Sequence, residues 1–283
     1  MSACTPNYPG VNASEQFSVV VLPDMQYEIK SFPSIFDSEI NWIVDNKEKM
    51  NIQFVVGEGD IVNNANDAAQ WKRASAGYAK LENSGIPYLI VPGNHDYPLN
   101  NYLSYFPLSR ISKESTFGGA YNSSPENEYH LLTVNNKTYL FMGLEFCPST
   151  DEIVWANETL KKYNNITSVF VTHGFLDINS ERSINVCNST EYIWEGFIKH
   201  HPNLQVVLCG HMHGEAIRTD KNLAGKNVYQ MLANYQSDLN GGNGWIRILI
   251  FSSQENKVYV QTYSPYLKEY SNESASNFSI DLD

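Results

Sequence analysis

The sequence predicts an α/β fold, and two observations carry the prediction. From residue 17 onward, apolar runs of strand length alternate with longer amphipathic segments, the pattern of stacked βα units. Short polar signatures close five of those runs: Asp24-Met25-Gln26, Gly59-Asp60-Ile61-Val62-Asn63, Gly93-Asn94-His95-Asp96, Thr172-His173-Gly174 and Gly210-His211-Met212-His213. Buried strands that end in Asp, Asn and His gather those groups on one sheet edge, where open α/β folds carry their sites.

Taken in order, Phe17 to Leu22 reads as a first strand ended by Pro23. A helix opening near Pro33 follows, with Phe36, Ile40, Ile43 and Met50 at helical spacing. Ile52 to Val56 is a strand, Ala68 to Leu81 a helix and Pro87 to Val91 a strand. The aromatic stretch through Tyr97, Tyr102, Tyr105 and Phe106, broken by Pro98 and Pro107, reads as a loop or lid over 97–126. Glu128 to Val134 and Lys137 to Phe146 flank Asn135-Asn136, a dipeptide that accepts the positive backbone angles of a tight hairpin. Helices over Glu152 to Tyr163 and Ser189 to Lys199 lead to strands at Ser168 to Val171 and Leu204 to Leu208. Three more strands follow: Asn227 to Leu232, Trp245 to Phe251 and Lys257 to Thr262. The expected organisation is a polar segment over 1–16, one domain over 17–265 and a polar tail over 266–283, with the first sixteen residues and the last dozen less ordered.

Bulk properties narrow the function. At 283 residues with 42% hydrophobic and 18% charged content the chain can bury a continuous core, and no apolar run approaches the ~20 residues of a membrane span. A net charge of −12 argues against duplex nucleic acid as a partner, which needs a basic face to displace counterions. Asn-x-Ser/Thr sequons begin at Asn12, Asn122, Asn136, Asn157, Asn165, Asn188, Asn272 and Asn277, and point to a secreted glycoprotein; the alternative is a cytoplasmic protein whose sequons go unused. In a secreted chain Cys147 and Cys187, both in polar contexts, are the expected disulfide pair, while Cys209 ends an apolar run and reads as a buried thiol.

The polar signatures have the inventory of a metal centre. Phosphate esters resist hydrolysis because an anionic nucleophile must approach an anionic centre, and two divalent ions about 3.5 to 4 Å apart lower a water's pKa and neutralise the phosphoryl oxygens. The order Asp-x-Gln, Gly-Asp-x-x-Asn, Gly-Asn-His-Asp, His, Gly-His-x-His resembles the calcineurin-like metallophosphoesterase superfamily over about residues 17 to 262. That resemblance implies a four-layer αββα sandwich of two mixed β-sheets flanked by helices, with a dinuclear site at the strand ends and a bridging hydroxide. It implies Asp60 as the bridging ligand, Asp24, Gln26 and His213 at a first metal, and Asn94, His173 and His211 at a second. His95 would act as general acid toward the leaving oxygen or hydrogen-bond the phosphoryl group, Asp96 would orient its imidazole, and Asn63 would support the ligands from behind. Two divalent cations against the carboxylates of Asp24 and Asp60 leave a net positive site suited to phosphate.

Most of the family has His where this chain has Gln26. An amide oxygen is a harder donor than imidazole, so the first metal position should favour Mn or Mg over Zn or Fe. Asp-x-Gln resembles the extracytoplasmic bacterial-type phosphoesterases and the related branch of a cytosolic protein-serine/threonine phosphatase. Arg110 and Arg218 are candidate phosphate clamps, and Trp71, Tyr97 and Tyr102 are candidates to stack on a substrate ring. His130, His200 and His201 match no motif, and His200-His201-Pro202 reads as a helix end with cationic side chains. The expected substrate is a small-molecule or phosphoprotein phosphomonoester. The alternatives are a phosphodiesterase on nucleotide- or lipid-like esters and a binding module with a weakened first metal position. Oligomeric state is not legible in the chain.

Overall fold

The computed structural model describes residues 11–182, 187 and 190–283. Its strands are β1 (Gln16–Leu22), β2 (Ile52–Gly57), β3 (Tyr88–Ile90), β4 (Phe117–Ala120), β5 (Glu128–Val134), β6 (Lys137–Gly143), β7 (Thr167–Val171), β8 (Leu204–Cys209), β9 (Gly214–Lys221), β10 (Asn227–Asn234), β11 (Ile246–Ser252), β12 (Lys257–Ser264), β13 (Glu269–Tyr270) and β14 (Asn277–Asp281). Its α-helices are α1 (Gln26–Ser31), α2 (Pro33–Asp45), α3 (Ala68–Asn83), α4 (Asn100–Tyr105), α5 (Leu108–Ile111), α6 (Thr150–Lys162) and α7 (Glu191–Gly196).

Two mixed seven-stranded sheets stack face to face. One runs β13-β12-β11-β1-β2-β3 with β14 also on β12, and the other runs β4-β5-β6-β7-β8-β10-β9. The pleat explains why the strands read as continuous apolar runs. In β1, Val19 and Val21 face the second sheet, joining Phe54, Phe141, Val169 and Leu208, whereas Val20 and Leu22 face Phe36, Ile40 and Trp71 on the helix side. In β8, Val206 and Leu208 point inward while Val207 and Cys209 pack with Leu160 and Trp194 beneath α6 and α7. Strands covered on both sides cannot alternate apolar with polar residues. The four layers are therefore helix, sheet, sheet, helix.

Local signals set the helix starts. Asp67 caps α3 by accepting from the Ala69 N–H at 2.9 Å. At α6, Ser149 and Glu152 form a capping box, with Asp151 in the first turn and Lys161 and Lys162 in the last, which complements the helix dipole. Asn135 and Asn136 hold φ of 50° and 63° at the tip of the β5–β6 hairpin, as their sequence required.

Two expectations change. The 97–126 stretch is not an open lid: it carries α4, α5 and β4, and Tyr102 and Phe106 are fully buried against Trp71 and Tyr78 on α3. Its aromatics follow the gain from burying large rings. The tail over 266–283 is ordered too, because Phe278, Ile280 and Leu282 alternate with Asn277, Ser279 and Asp281, and β14 pairs antiparallel with β12. Ile280 and Leu282 enter the core between the sheets. A mean polarity hid a period of two. Ile280→Ala should destabilise the protein by about 2–4 kcal/mol in chemical denaturation, whereas a loose tail would give no change.

Cys147 and Cys187 form the expected disulfide, and Cys209 is fully buried. His201 is buried, its Nε2 is 2.7 Å from Asn157 Oδ1, and burial lowers its pKa to about 4. It is neutral at pH 7 and does not complement a helix end. His200 instead places Nε2 2.8 Å from the Glu195 carbonyl. His130 is fully buried between the rings of Phe54 and Phe117, 2.8 Å from Thr116 Oγ1.

Between α1 and α2 lies a buried acid pair, Glu28 and Glu39. Burial raises Glu28 to about 7 and Glu39 well above its ordinary value, and the two side chains share a hydrogen bond. Glu28 also accepts the Gly244 N–H at 2.9 Å. Both acids hold protons more tightly folded than unfolded, so the pair's contribution is full below pH 4.5 and is lost as pH rises through about 7. Glu39→Gln can donate the same bond at every pH. Its stability relative to the wild type should therefore increase from pH 5 to pH 8 in denaturant titrations; a constant difference would refute the shared proton.

Candidate metal centre

Strands β1, β2 and β3 run parallel, as do β6, β7, β8 and β10. The carboxyl ends of both parallel sets meet at one edge of the sandwich, and the polar signatures leave from there. Two of the motif glycines permit the approach: a Cβ at Gly93 would collide with the backbone N and carboxylate of Asp60, and one at Gly210 with the Asp24 carboxylate. Asp60 and His211 adopt left-handed φ of 46° and 69°, a conformation kept where the surroundings over-determine it.

Asp60, His173 and His211 bring ligand atoms within 4.8 Å of one another. Asn94 Oδ1 lies 3.0 Å from His173 Nε2 and 2.9 Å from His211 Nδ1, and those two nitrogens are 3.2 Å apart. Asp60 Oδ1 is 3.2 Å from His173 Nε2. The tautomer of His173 is dictated from behind, since its Nδ1 lies 2.9 Å from the Glu58 carbonyl and must donate to it. A neutral His173 therefore turns a lone pair toward Asp60 Oδ1 and Asn94 Oδ1, which only accept, and toward His211 Nδ1, which donates or accepts according to its tautomer. Either a proton or a cation has to occupy that junction. Without a metal, the balance falls on the proton: burial opposes it, but Asp60 and Asp24 raise His173 to about 10, while burial and the charge of His173 lower His211 to about 4. Four lone-pair donors around one point fit a divalent cation. Phe146 packs against both imidazoles, with centroid distances of 5.5 and 5.3 Å.

Asp60 also accepts the His95 N–H at 2.9 Å and Gln26 Nε2 at 2.8 Å. Burial opposes its charge, yet His173 and the His95 N–H outweigh burial and lower its pKa. Asp24, equally buried, moves the other way: burial raises it well above its ordinary value despite His173. It accepts the His211 N–H at 3.1 Å and Asn234 Nδ2 at 2.7 Å. Gln26 is 1% exposed and its Oε1 has no hydrogen-bond partner, so an unpaired carbonyl oxygen is held beside the Asp60 carboxylate.

The family pattern of the calcineurin-like phosphoesterases matches residues 17–215. The chain belongs to that family. Over 95% of its length it is 33% identical to the uncharacterized protein YvnB of Bacillus subtilis strain 168, of which it spans 22%. Over 72% of its length it is 24% identical to a probable cyclic nucleotide phosphodiesterase of Moraxella catarrhalis strain BBH18, covering 74% of that protein. Among solved structures, GAP50, the anchor in the inner membrane complex of Plasmodium, shares the fold with a TM-score of 0.61 at 13% identity, the alignment covering 95% of this chain and 91% of that one.

The structure departs from the sequence-based expectations at Asp96, Asn63, the two arginines and two of the three aromatic residues. Asp96 does not touch the His95 ring; its carboxylate accepts the backbone N–H groups of Gly93, Ile61 and Val62 at 2.8, 3.1 and 3.0 Å. The ring is held by the Asn63 carbonyl, 3.1 Å from His95 Nδ1, so Asn63 acts through its main chain. Arg110 is tied to Glu82, Ser75 and the Tyr105 carbonyl, and Arg218 to Asp220 and the Ser180 carbonyl; both hold structure together rather than aim at the site. Trp71 and Tyr102 are fully buried, and only Tyr97 reaches the surface, hydrogen-bonded to Glu145. His213 is exposed, its ring against Gln236 Nε2 at 3.0 Å and Ser237 Oγ.

Asn234 and Gln236 were missed. They close the apolar run of β10 just as the five signatures close theirs, but amides without His or Asp gave no metal signal. Beside His213 a groove of about 1010 Å³ opens, lined by Trp42, Trp245, Tyr263 and Tyr270 among polar residues.

Asp96→Ala would leave three N–H groups of the Asp60 and Asn94 turns buried and unpaired, at about 1–3 kcal/mol each. It should lower both thermal stability and divalent-metal affinity. A variant with wild-type stability and metal content but reduced turnover would mean that Asp96 acts on the His95 ring instead.

Proposed function

We propose that this phosphoesterase is a phosphomonoesterase with a dinuclear divalent-metal centre. The reading is carried by Asp60, Asn94, His173 and His211, whose ligand-capable oxygen and ring-nitrogen atoms face one another at 2.9 to 3.2 Å. Those four would hold one ion. Asp24, Gln26 and His213, sharing Asp60, would hold the other. Two such ions would supply positive charge for the phosphoryl oxygens and lower the pKa of an attacking water. The orphaned Gln26 oxygen supports Mn²⁺ or Mg²⁺ at the Asp24 position.

His95 is suited to pass a proton to the departing oxygen. With Nδ1 donating to the Asn63 carbonyl, proton exchange falls to Nε2, on the other side of the half-buried ring. The same anchor keeps the imidazole from swinging toward solvent.

A phosphodiester is the second reading. The groove beside His213 leaves room for a second ester group, and the Moraxella relative bears a phosphodiesterase name. The Cys147–Cys187 disulfide supports an oxidising, extracytoplasmic location.

Assays with p-nitrophenyl phosphate and bis-p-nitrophenyl phosphate in Mn²⁺ separate the readings. A higher kcat/KM on the monoester is expected; preference for the diester would establish the second reading, and turnover of neither with metal bound would leave a binding role. His95→Ala should lower kcat by about 10²–10⁴ with metal content intact, whereas Asn94→Ala should lose metal. Equal metal loss in both would overturn the separate roles.

A further inference from the structure

The side chain of Gln236 is 6% exposed, and its Oε1 has no hydrogen-bond partner. A buried amide oxygen left unpaired costs roughly 1–3 kcal/mol, so its retention needs a physical reason. Its other atom is well placed: Nε2 lies 3.0 Å from His213 Nε2 and 3.5 Å from Asp24 Oδ2. The amide group therefore stands between an imidazole and a carboxylate of the expected first metal position. Its backbone is fixed there too, because the Gln236 N–H donates to Asn234 Oδ1 at 2.9 Å while Asn234 Nδ2 donates to Asp24 and, at 3.1 Å, to the His211 carbonyl.

Gln26 repeats the arrangement from the other end of the chain. Its Nε2 donates to Asp60 and its Oε1 is likewise buried and unpaired. Two carboxamides thus flank Asp24 and Asp60, each turning a partly positive NH₂ group to a carboxylate and leaving a carbonyl oxygen unused. Rotation about the soft terminal torsion of glutamine exchanges oxygen and nitrogen with almost no change of shape. His213, by contrast, is exposed and braced by Ser237, so its imidazole is the weakest member of the expected set.

We infer that Gln236 is a metal ligand, giving its carboxamide oxygen to the ion held by Asp24. With Gln26 it makes this position rich in oxygen donors, and so selective for a hard cation such as Mn²⁺ or Mg²⁺ over Zn²⁺. The inference rests on the dinuclear reading and extends it to a residue outside the five signatures.

Calorimetric titration of MnCl₂ into the chelator-stripped full chain tests it without any turnover. The wild type should show two binding events. Gln236→Leu, close in shape, should weaken one at least about tenfold and leave the other alone, with metal-free thermal stability unchanged or raised because a buried polar group is gone. Gln236→Glu should restore the weakened event. Two unaltered events in Gln236→Leu would overturn the assignment while the dinuclear reading survives; one event in the wild type would overturn both.

Discussion

Everything at the sheet edge depends on keeping the Asp60 carboxylate ionised in a place that water barely reaches. Burial alone would protonate it. The His95 N–H, the Gln26 amide and the His173 ring each stabilise the charge, and each comes from a different strand end. Because Asp96 accepts the N–H groups of Ile61 and Val62, directly after Asp60, and of Gly93, directly before Asn94, the two loops are tied together and the first cannot relax to hydrate the carboxylate. The sandwich holds these loops a few ångströms apart, so donor atoms that repel one another are brought together and kept there.

That constraint divides the two proposed metal positions. Around Asn94, His173 and His211 the geometry is closed, with one tautomer set by the Glu58 carbonyl. Around Asp24 it is looser: carboxamides take the place of imidazoles, and His213 sits at the rim beside the groove. The opposite shifts of Asp24 and Asp60 express the same difference, since Asp60 is close to His173 whereas burial dominates at Asp24. On the proposed reading, one position is firm and the other, next to the groove beside His213, is adaptable.

Much of this was legible beforehand. Runs such as Val19-Val20-Val21-Leu22 and Val206-Val207-Leu208 announce strands buried on both faces, and a polar signature after such a run announces a sheet edge. What was misread had a common cause. Asp96, Arg110, Tyr102 and Trp71 carry the right chemistry for a site, and the fold spends it on backbone N–H groups, on Glu82 and on the core under α3. A side chain's type states what it can bind; its partner is chosen by neighbours far away in sequence. Phe278, Ile280 and Leu282 failed for the opposite reason, a real periodicity diluted by polar neighbours.

By itself the sequence determined the family, the α/β class and the residues that converge, because strand periodicity and strand-end chemistry are local properties of the chain. Only the tertiary structure decided orientation: that Asp96 faces the loop backbone, that His213 turns to the rim, and that Gln236 stands beside Asp24 with its oxygen unpaired. Direction depends on contacts between residues up to 212 positions apart, as for Gln236 and Asp24, and no local pattern encodes them.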